Sequence, residues 1–320
     1  MGSSLPSRRV DNAELAEQLG RSAEEIERRT GVRSRYYAEA GQGPSDLAQL
    51  AAAEAFREAG CGAQDVELVI FATMTPDVTF PGSGCYLQHK LGCGTTGALD
   101  LRAHCAGFLF ALDVADSFVQ AGAYRTVLIA AADVHSSGLD FTPRGADVTP
   151  LFGDGAVVAL LGPGEPGVAK TILHTDATHF ERFWCEFPSS RRLPVRVLPE
   201  DFAAATFYPV LDSAAVRRDG SRQIGEAVAE LLDQTGTEKA AVSHFFLQHV
   251  YRETGLEAAR SLGVSDRATV GGLEEGHIAS ASLALSLCRA RGQGHVKAGD
   301  LVCLATAGAG ENYAASLVRM

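Results

Sequence analysis

The sequence predicts an α/β chain made of two copies of one unit, and three observations carry that prediction. Short, nearly continuous apolar runs recur along it, stretches with helical spacing separate them, and the second half repeats the order of the first. The runs at 66–73, 98–101, 126–132 and 156–161 are rich in Val, Ile, Leu and Ala, as expected of strands covered by helices on both faces. Residues 47–59 and 107–120 place Ala and Leu at helical intervals between those runs. In the second half, 223–234 and 278–290 read as helices, and 245–250, 301–305 and 313–318 as strands. The run 126–134, a glycine turn and 156–161 lie alongside 301–310 followed by 313–318, so the chain reads as one internal duplication. A Gly/Pro junction at 162–167 separates the copies, giving halves 1–166 and 167–320. Residues 176–215, with Pro188, Pro194, Pro199 and Pro209, read as an irregular surface excursion.

Composition narrows the function. A chain of 320 residues is about two domains' worth. Its net charge of −11, with no basic block, argues against nucleic-acid or anionic-membrane binding. Apolar residues at 46% exclude a disordered chain. The first residues lack the pattern of a signal peptide, and no apolar run approaches the ~18 residues of a membrane span. Seven cysteines contain no C-x-x-C pair, so no metal site and a reducing, cytoplasmic setting are expected. The 34 glycines imply many tight turns or close backbone approaches.

Two phosphate-loop patterns do not survive inspection. Gly162-x-Gly164-x-x-Gly167 contains two prolines, and the segment after it reads as strand, so no helix N-terminus follows to bind pyrophosphate. Residues 164–171 place Ala169 where a phosphate loop needs its second glycine. Cys105 differs from the other cysteines. A strand runs straight into the helical pattern at Cys105-Ala106-Gly107, so the thiol is expected near a helix N-terminus, whose N–H groups favour thiolate. An inert buried cysteine remains the alternative on local sequence.

Several motifs, in order along nearly the whole chain, resemble the β-ketoacyl-acyl-carrier-protein synthase III family of the thiolase-like superfamily. They are Arg29-Thr30-Gly31-Val32-Arg33, Thr73-Met74-Thr75-Pro76-Asp77 with Phe80-Pro81, and His104-Cys105-Ala106-Gly107-Phe108. Ala115-Asp116-Ser117-Phe118 with Gly122-Ala123-Tyr124, Arg144-Gly145, Phe152-Gly153-Asp154-Gly155-Ala156 and the tail 308–319 complete the set. The resemblance implies a thiolase-like fold of two pseudo-duplicated halves in five α-β-α-β-α layers, and a homodimer. It implies that Cys105 is the acyl-accepting nucleophile, with His249 and His277 completing a catalytic set and His277 standing where the family normally has asparagine. Backbone N–H groups of Cys105 and Ala309 would form the oxyanion hole. Arg29, Arg144, Gly220 and Arg252 are expected along the phosphopantetheine or coenzyme A channel, and Phe80 at the acyl pocket and dimer interface. Arg217, Arg218 and Arg222, with Arg252, are candidates for a basic patch that docks an acidic carrier protein. No tightly bound cofactor is implied. The substrate is an acyl-phosphopantetheine thioester on acyl carrier protein or coenzyme A.

Four departures distinguish the chain. The family's usual first strand is expected to precede Ser3, so either the start is misassigned or one sheet edge is shortened. His277 replaces the asparagine, His249-Val250-Tyr251-Arg252 replaces His-Gln-Ala-Asn, and Glu25 lies near where a tryptophan often stacks on adenine. The departures at 249–252 and at Glu25 suit a specialised relative acting on carrier-bound acyl groups in secondary metabolism. The expected reaction is acylation of Cys105 followed by decarboxylative Claisen condensation with a malonyl-type thioester. Transfer of the acyl group to an alcohol or amine is the alternative, and a non-catalytic partner subunit is the reading from another class. His89, His104, His135, His174, His179 and His295 receive no role.

Overall fold

The computed structural model describes residues 1–320 except Glu165, Pro166, Phe187, Pro188, Leu193 and Arg196. In the first half the elements are β1 (Gly2–Ser4), β2 (Arg8–Asp11), α1 (Asn12–Leu19), α2 (Ala23–Thr30), β3 (Ser34–Tyr37), α3 (Pro44–Ala59) and β4 (Leu68–Ala72). They continue with α4 (Ser83–Leu91), β5 (Gly97–Leu101), α5 (Gly107–Gln120), β6 (Val127–Asp133) and β7 (Gly155–Leu161). The second half carries β8 (Val168–Thr175), β9 (Phe183–Trp184), α6 (Pro199–Ala204), β10 (Val210–Leu211) and α7 (Ser213–Thr235). It ends with β11 (His244–Gln248), α8 (Arg252–Leu262), β12 (Ala268–Thr269), α9 (Ala279–Gly292), β13 (Leu301–Gly308) and β14 (Asn312–Arg319).

The duplication is visible strand by strand. One five-stranded sheet has the order β1-β7-β6-β4-β5, and the other, taken from its matching edge, β8-β14-β13-β11-β12. Each successive pair has the same sense in both sheets: antiparallel, antiparallel, parallel, parallel. Side-chain alternation explains why the central runs are apolar throughout. On β6, Val127, Ile129 and Ala131 face α5 and α9, whereas Leu128, Ala130 and Ala132 face α3. The second sheet repeats this, with α5 and α9 on one face and α7 and α8 on the other. The result is five layers: α3/α4, sheet, α5/α9, sheet, α7/α8.

Several expectations are corrected. The run 98–101 belongs to β5, an edge strand that is only partly buried rather than covered on both faces. The first strand does not precede Ser3; Gly2–Ser4 itself pairs with β7. The helix expected at 223–234 begins at Ser213, because its first turns are polar and carry no apolar stripe. The excursion 176–215 holds the short α6 and the β9–β10 pair. The junction expected at 162–167 includes Glu165 and Pro166, which lie outside the described residues, as does Pro188. Among the described residues no helix is long and apolar enough to cross a membrane.

Candidate active site

The inner helices bring the site together. A short 3₁₀ turn, His104–Ala106, links β5 to α5 and carries Cys105, which is 2% exposed. Gly107 lets the start of α5 meet the start of α9, since a Cβ there would lie 2.9 Å from the Ser280 Cβ. Asp133, at the end of β6, ties the halves together. Its carboxylate accepts from the Met74 and Ser280 backbone N–H groups at 2.8 and 2.9 Å, and from the Ser280 and Thr73 hydroxyls.

His277 lies in the loop before α9. Its backbone bonds Leu151 and Gly153 of the first half, with N–H to Leu151 O at 2.8 Å and its carbonyl receiving Gly153 N–H at 3.1 Å. Gly153 must lack a side chain, because a Cβ would fall 2.2 Å from Glu275 O in the same loop. The Phe-Gly-Asp-Gly motif therefore seats His277. Its Nε2 lies 3.1 Å from Cys105 Sγ.

Around the sulfur the backbone of Ala309 and of Cys105 itself supplies N–H groups. Gly308 clears the space, since its Cβ would lie 2.4 Å from Sγ. His249 follows β11 and is 2% exposed. It borders the same Gly308–Ala309 turn from the other side, and its ring rests on Gly220 of α7, where a Cβ would lie 2.3 Å from Nε2.

Proton placement follows from the neighbours. Burial pushes the His249 imidazole down to about 4, partly opposed by backbone contacts at Tyr251 and Val216, and pushes His277 well below its ordinary value. Both rings are therefore neutral near pH 7, with one N–H each. The Tyr251 backbone N–H donates to His249 Nδ1 at 3.1 Å, so the ring proton sits on Nε2. The Gln248 side-chain amide donates to His277 Nδ1 at 3.3 Å. The Ser282 hydroxyl, which accepts from Ile278 N–H, is also 3.3 Å from that Nδ1 and free to donate its own proton. His277 likewise carries its proton on Nε2, directed at Cys105. Sequence reading missed Gln248 and Ser282; the first adjoins His249 and the second lies one turn into α9.

The thiol itself corrects an expectation. Burial pushes Cys105 up to about 12, against the lowering effect of the Ala309 N–H, rather than below an ordinary thiol. Cys105 precedes α5 instead of starting it, and its neighbours are neutral imidazoles, not cations. Alkylation of Cys105 by iodoacetamide, followed by peptide mass spectrometry, should therefore climb about tenfold per pH unit from 7 to 10. A plateau below pH 9 would restore the low-pKa reading.

The remaining candidates fall in separate places. Arg29 pairs with Asp147 at 2.6 Å and, with Arg21, Thr30, Ser213, Arg217 and Tyr251, lines a cavity of about 130 Å³. Arg252 starts α8 and abuts Gly31. Arg144 is elsewhere, paired with Asp140 at 2.5 Å and lying over the Tyr208 ring. In the expected basic patch, Arg217 stacks on Tyr251 at 3.6 Å and donates to the Arg29 carbonyl, while Arg218 pairs with Asp219 and Arg222 with Glu226. Glu25 pairs with Arg21 at 2.6 Å. Phe80 is 81% exposed. His104 and His135, given no role from sequence, both line a larger cavity beside Ala309.

Comparison with known proteins agrees with this geometry. The family model for 3-oxoacyl-[acyl-carrier-protein] synthase III matches residues 99–177, and that for its C-terminal domain matches 232–320. The β-ketoacyl-[acyl-carrier-protein] synthase III of Rhodospirillum rubrum is 34% identical, over 100% of this chain and 97% of its own. That of Paramagnetospirillum magneticum is 36% identical, with the same coverage. The crystal structure of the Aquifex aeolicus 3-oxoacyl-[acyl-carrier-protein] synthase III superposes with a TM-score of 0.89, at 28% identity over 100% of this chain and 98% of that one. With both halves matched and full-length relatives above the level at which descent is secure, this chain belongs to the β-ketoacyl-acyl-carrier-protein synthase III family.

Proposed function

We propose that the protein accepts an acyl group on Cys105 and condenses it with a malonyl-type thioester. The Cys105 sulfur attacks the thioester carbonyl, the carbon–sulfur bond to the carrier breaks, and the departing carrier thiol takes the proton. The tetrahedral oxyanion is held by the Cys105 and Ala309 N–H groups, the latter supported by its bond to the sulfur. In the second step the bond between the malonyl α-carbon and its carboxylate breaks, releasing CO₂ and leaving an enolate. Its carbon attacks the Cys105 thioester carbonyl, and the cysteine leaves as thiolate.

One observation carries the choice of condensation. Both imidazoles present their proton on Nε2, because each Nδ1 faces a donor. An enolate oxygen needs two donors: His277 Nε2 supplies one beside Cys105, and His249, whose Nε2 packs against Gly220 and Val216 of α7, supplies the second once its ring turns toward the sulfur. Transfer to an alcohol or amine needs a bare ring nitrogen as base, which neither histidine offers toward Cys105. The phosphopantetheine arm is proposed to enter past Arg29, Arg252 and Gly220, on carrier protein or coenzyme A. Exposed Phe80 and the edge position of β5 support a homodimer, and the lack of any C-x-x-C spacing supports a reducing, cytoplasmic setting.

The test is incubation with acyl- and malonyl-carrier proteins, read by intact-protein mass and by released CO₂. A Cys105-dependent acyl adduct and CO₂ are expected. An adduct without CO₂ favours the alcohol or amine acceptor, and no adduct with any donor favours the non-catalytic subunit.

A further inference from the structure

The proton position of His277 rests on one side chain that cannot act in two ways. Gln248 closes β11, where alternation sends Phe245 and Leu247 toward α7 and α8 and Phe246 toward α5 and α9. Gln248 therefore shares the inner face with Phe246, and it is buried. An apolar residue would suit that place. An amide stands there instead, and its Oε1 is buried without a hydrogen-bond partner. A polar group kept at that cost must gain from its other end.

The other end reaches both histidines. Gln248 Nε2 lies 3.3 Å from the His249 carbonyl oxygen and 3.3 Å from His277 Nδ1. A carbonyl oxygen only accepts, so the amide must turn its nitrogen to this side. An amide nitrogen only donates, so His277 Nδ1 has to accept. Ser282 imposes no such choice. Its hydroxyl is also 3.3 Å from Nδ1, yet with the Ile278 N–H on one lone pair it can either donate to the ring or accept from it. Of these two neighbours, Gln248 alone breaks the tie. The choice matters because His277 Nε2 lies 3.1 Å from Cys105 Sγ. With its proton there, the ring donates to an oxygen at the sulfur; without it, the same nitrogen is a base at the same place.

We infer that Gln248 sets the reaction class of the site: by donating to His277 Nδ1 it keeps His277 a donor for the enolate oxygen and denies it the role of base toward water or an alcohol. Gln248 is thus a positioning residue that acts through His277. The inference rests on the reading of Cys105 as acyl acceptor in a condensation. Where the amide is absent, Ser282 can take the Nδ1 proton as an acceptor and leave Nε2 bare. Water or an alcohol then gives its proton to Nε2 as its oxygen attacks the acyl carbonyl. The carbon–sulfur bond breaks, and that proton passes back to the Cys105 sulfur.

The test compares the wild-type protein with Gln248→Met, which keeps the reach of the side chain and removes its donor. Long-range proton–nitrogen NMR spectra of the histidine-labelled protein, with the His277 signal identified by its loss in His277→Asn, read the tautomer without substrate. The wild-type ring should carry its proton on Nε2, Ser282→Ala should keep it there, and Gln248→Met should raise the share on Nδ1. With acyl- and malonyl-carrier proteins, Gln248→Met should release CO₂ about three- to tenfold more slowly, the worth of one hydrogen bond. Preformed acyl-Cys105 should meanwhile lose its acyl group to water or ethanol faster than in the wild type. A merely structural role would not move the two rates in opposite directions. A wild-type ring protonated on Nδ1, a tautomer that follows Ser282 rather than Gln248, or rates that do not move oppositely overturns the inference. Failure of wild-type Cys105 to label, or of malonyl-carrier protein to release CO₂, overturns the condensation reading instead, and the spectra still decide the role of Gln248.

Discussion

His277→Ala is expected to cut CO₂ release from malonyl-carrier protein by about 10²–10³-fold, the usual cost of losing one donor to a developing oxyanion. Self-acylation of Cys105 should stay within about tenfold of wild type, because the acyl oxyanion is served by the Ala309 and Cys105 N–H groups. The division follows from where the ring proton lies. With Nδ1 receiving Gln248 and Ser282, the Nε2–H of His277 points at the Cys105 sulfur, where the enolate oxygen must arrive. His277→Asn restores a donor N–H and should recover part of the decarboxylation. If His249 turns its Nε2 from Gly220 toward the same oxygen, His249→Ala should resemble His277→Ala and the double variant should cost much less than the product of the two. Equal loss of acylation and decarboxylation in His277→Ala would show that His277 acts on the thiol instead.

Legibility in the sequence depended on how far a residue's surroundings are local. β4, β6, β7 and β13 stand out because sheets buried on both faces leave continuous apolar runs. β5 looked similar, yet an edge position is set by which strand pairs beside it, and residues 97–101 do not encode that. The segment 8–37 shows no secondary-structure period: β2 and β3 are four residues each, and α1 and α2 eight each, too short and polar to carry one. Cys105 was found from the strand-to-helix junction and its motif. Its environment was not, because Gly308, Ala309 and His277 reach it from more than 170 positions away in the sequence, and they bury the thiol that the local junction seemed to activate. His104 and His135 carried no local signal for the same reason; only packing shows that both residues line one cavity.

Gly308→Ala is expected to abolish acylation of Cys105, by at least about 10²-fold, without unfolding the protein. Gly308 has φ −165, which any residue adopts, so the backbone imposes no strain. The obstacle is spatial. A Cβ would stand 2.4 Å from Cys105 Sγ and 2.5 Å from its Cβ. Turning the sulfur relieves the first contact but not the second, so the Gly308–Ala309 turn must also shift, and the sulfur loses the Ala309 N–H and His277 Nε2. Gly220→Ala makes the opposite distinction. Its Cβ would fall 2.3 Å from His249 Nε2, so it displaces the histidine and should cut CO₂ release while sparing acylation. Gly225→Ala on the same helix is the control. Nothing lies within 4 Å of its Cβ, so catalysis should be unchanged and stability should rise by up to about 1 kcal/mol through helix propensity. Wild-type acylation by Gly308→Ala, with an unchanged thermal melt, would mean that this turn does not crowd the sulfur. The Ala309 N–H would then lose its place as the oxyanion donor, because the same turn sets both contacts.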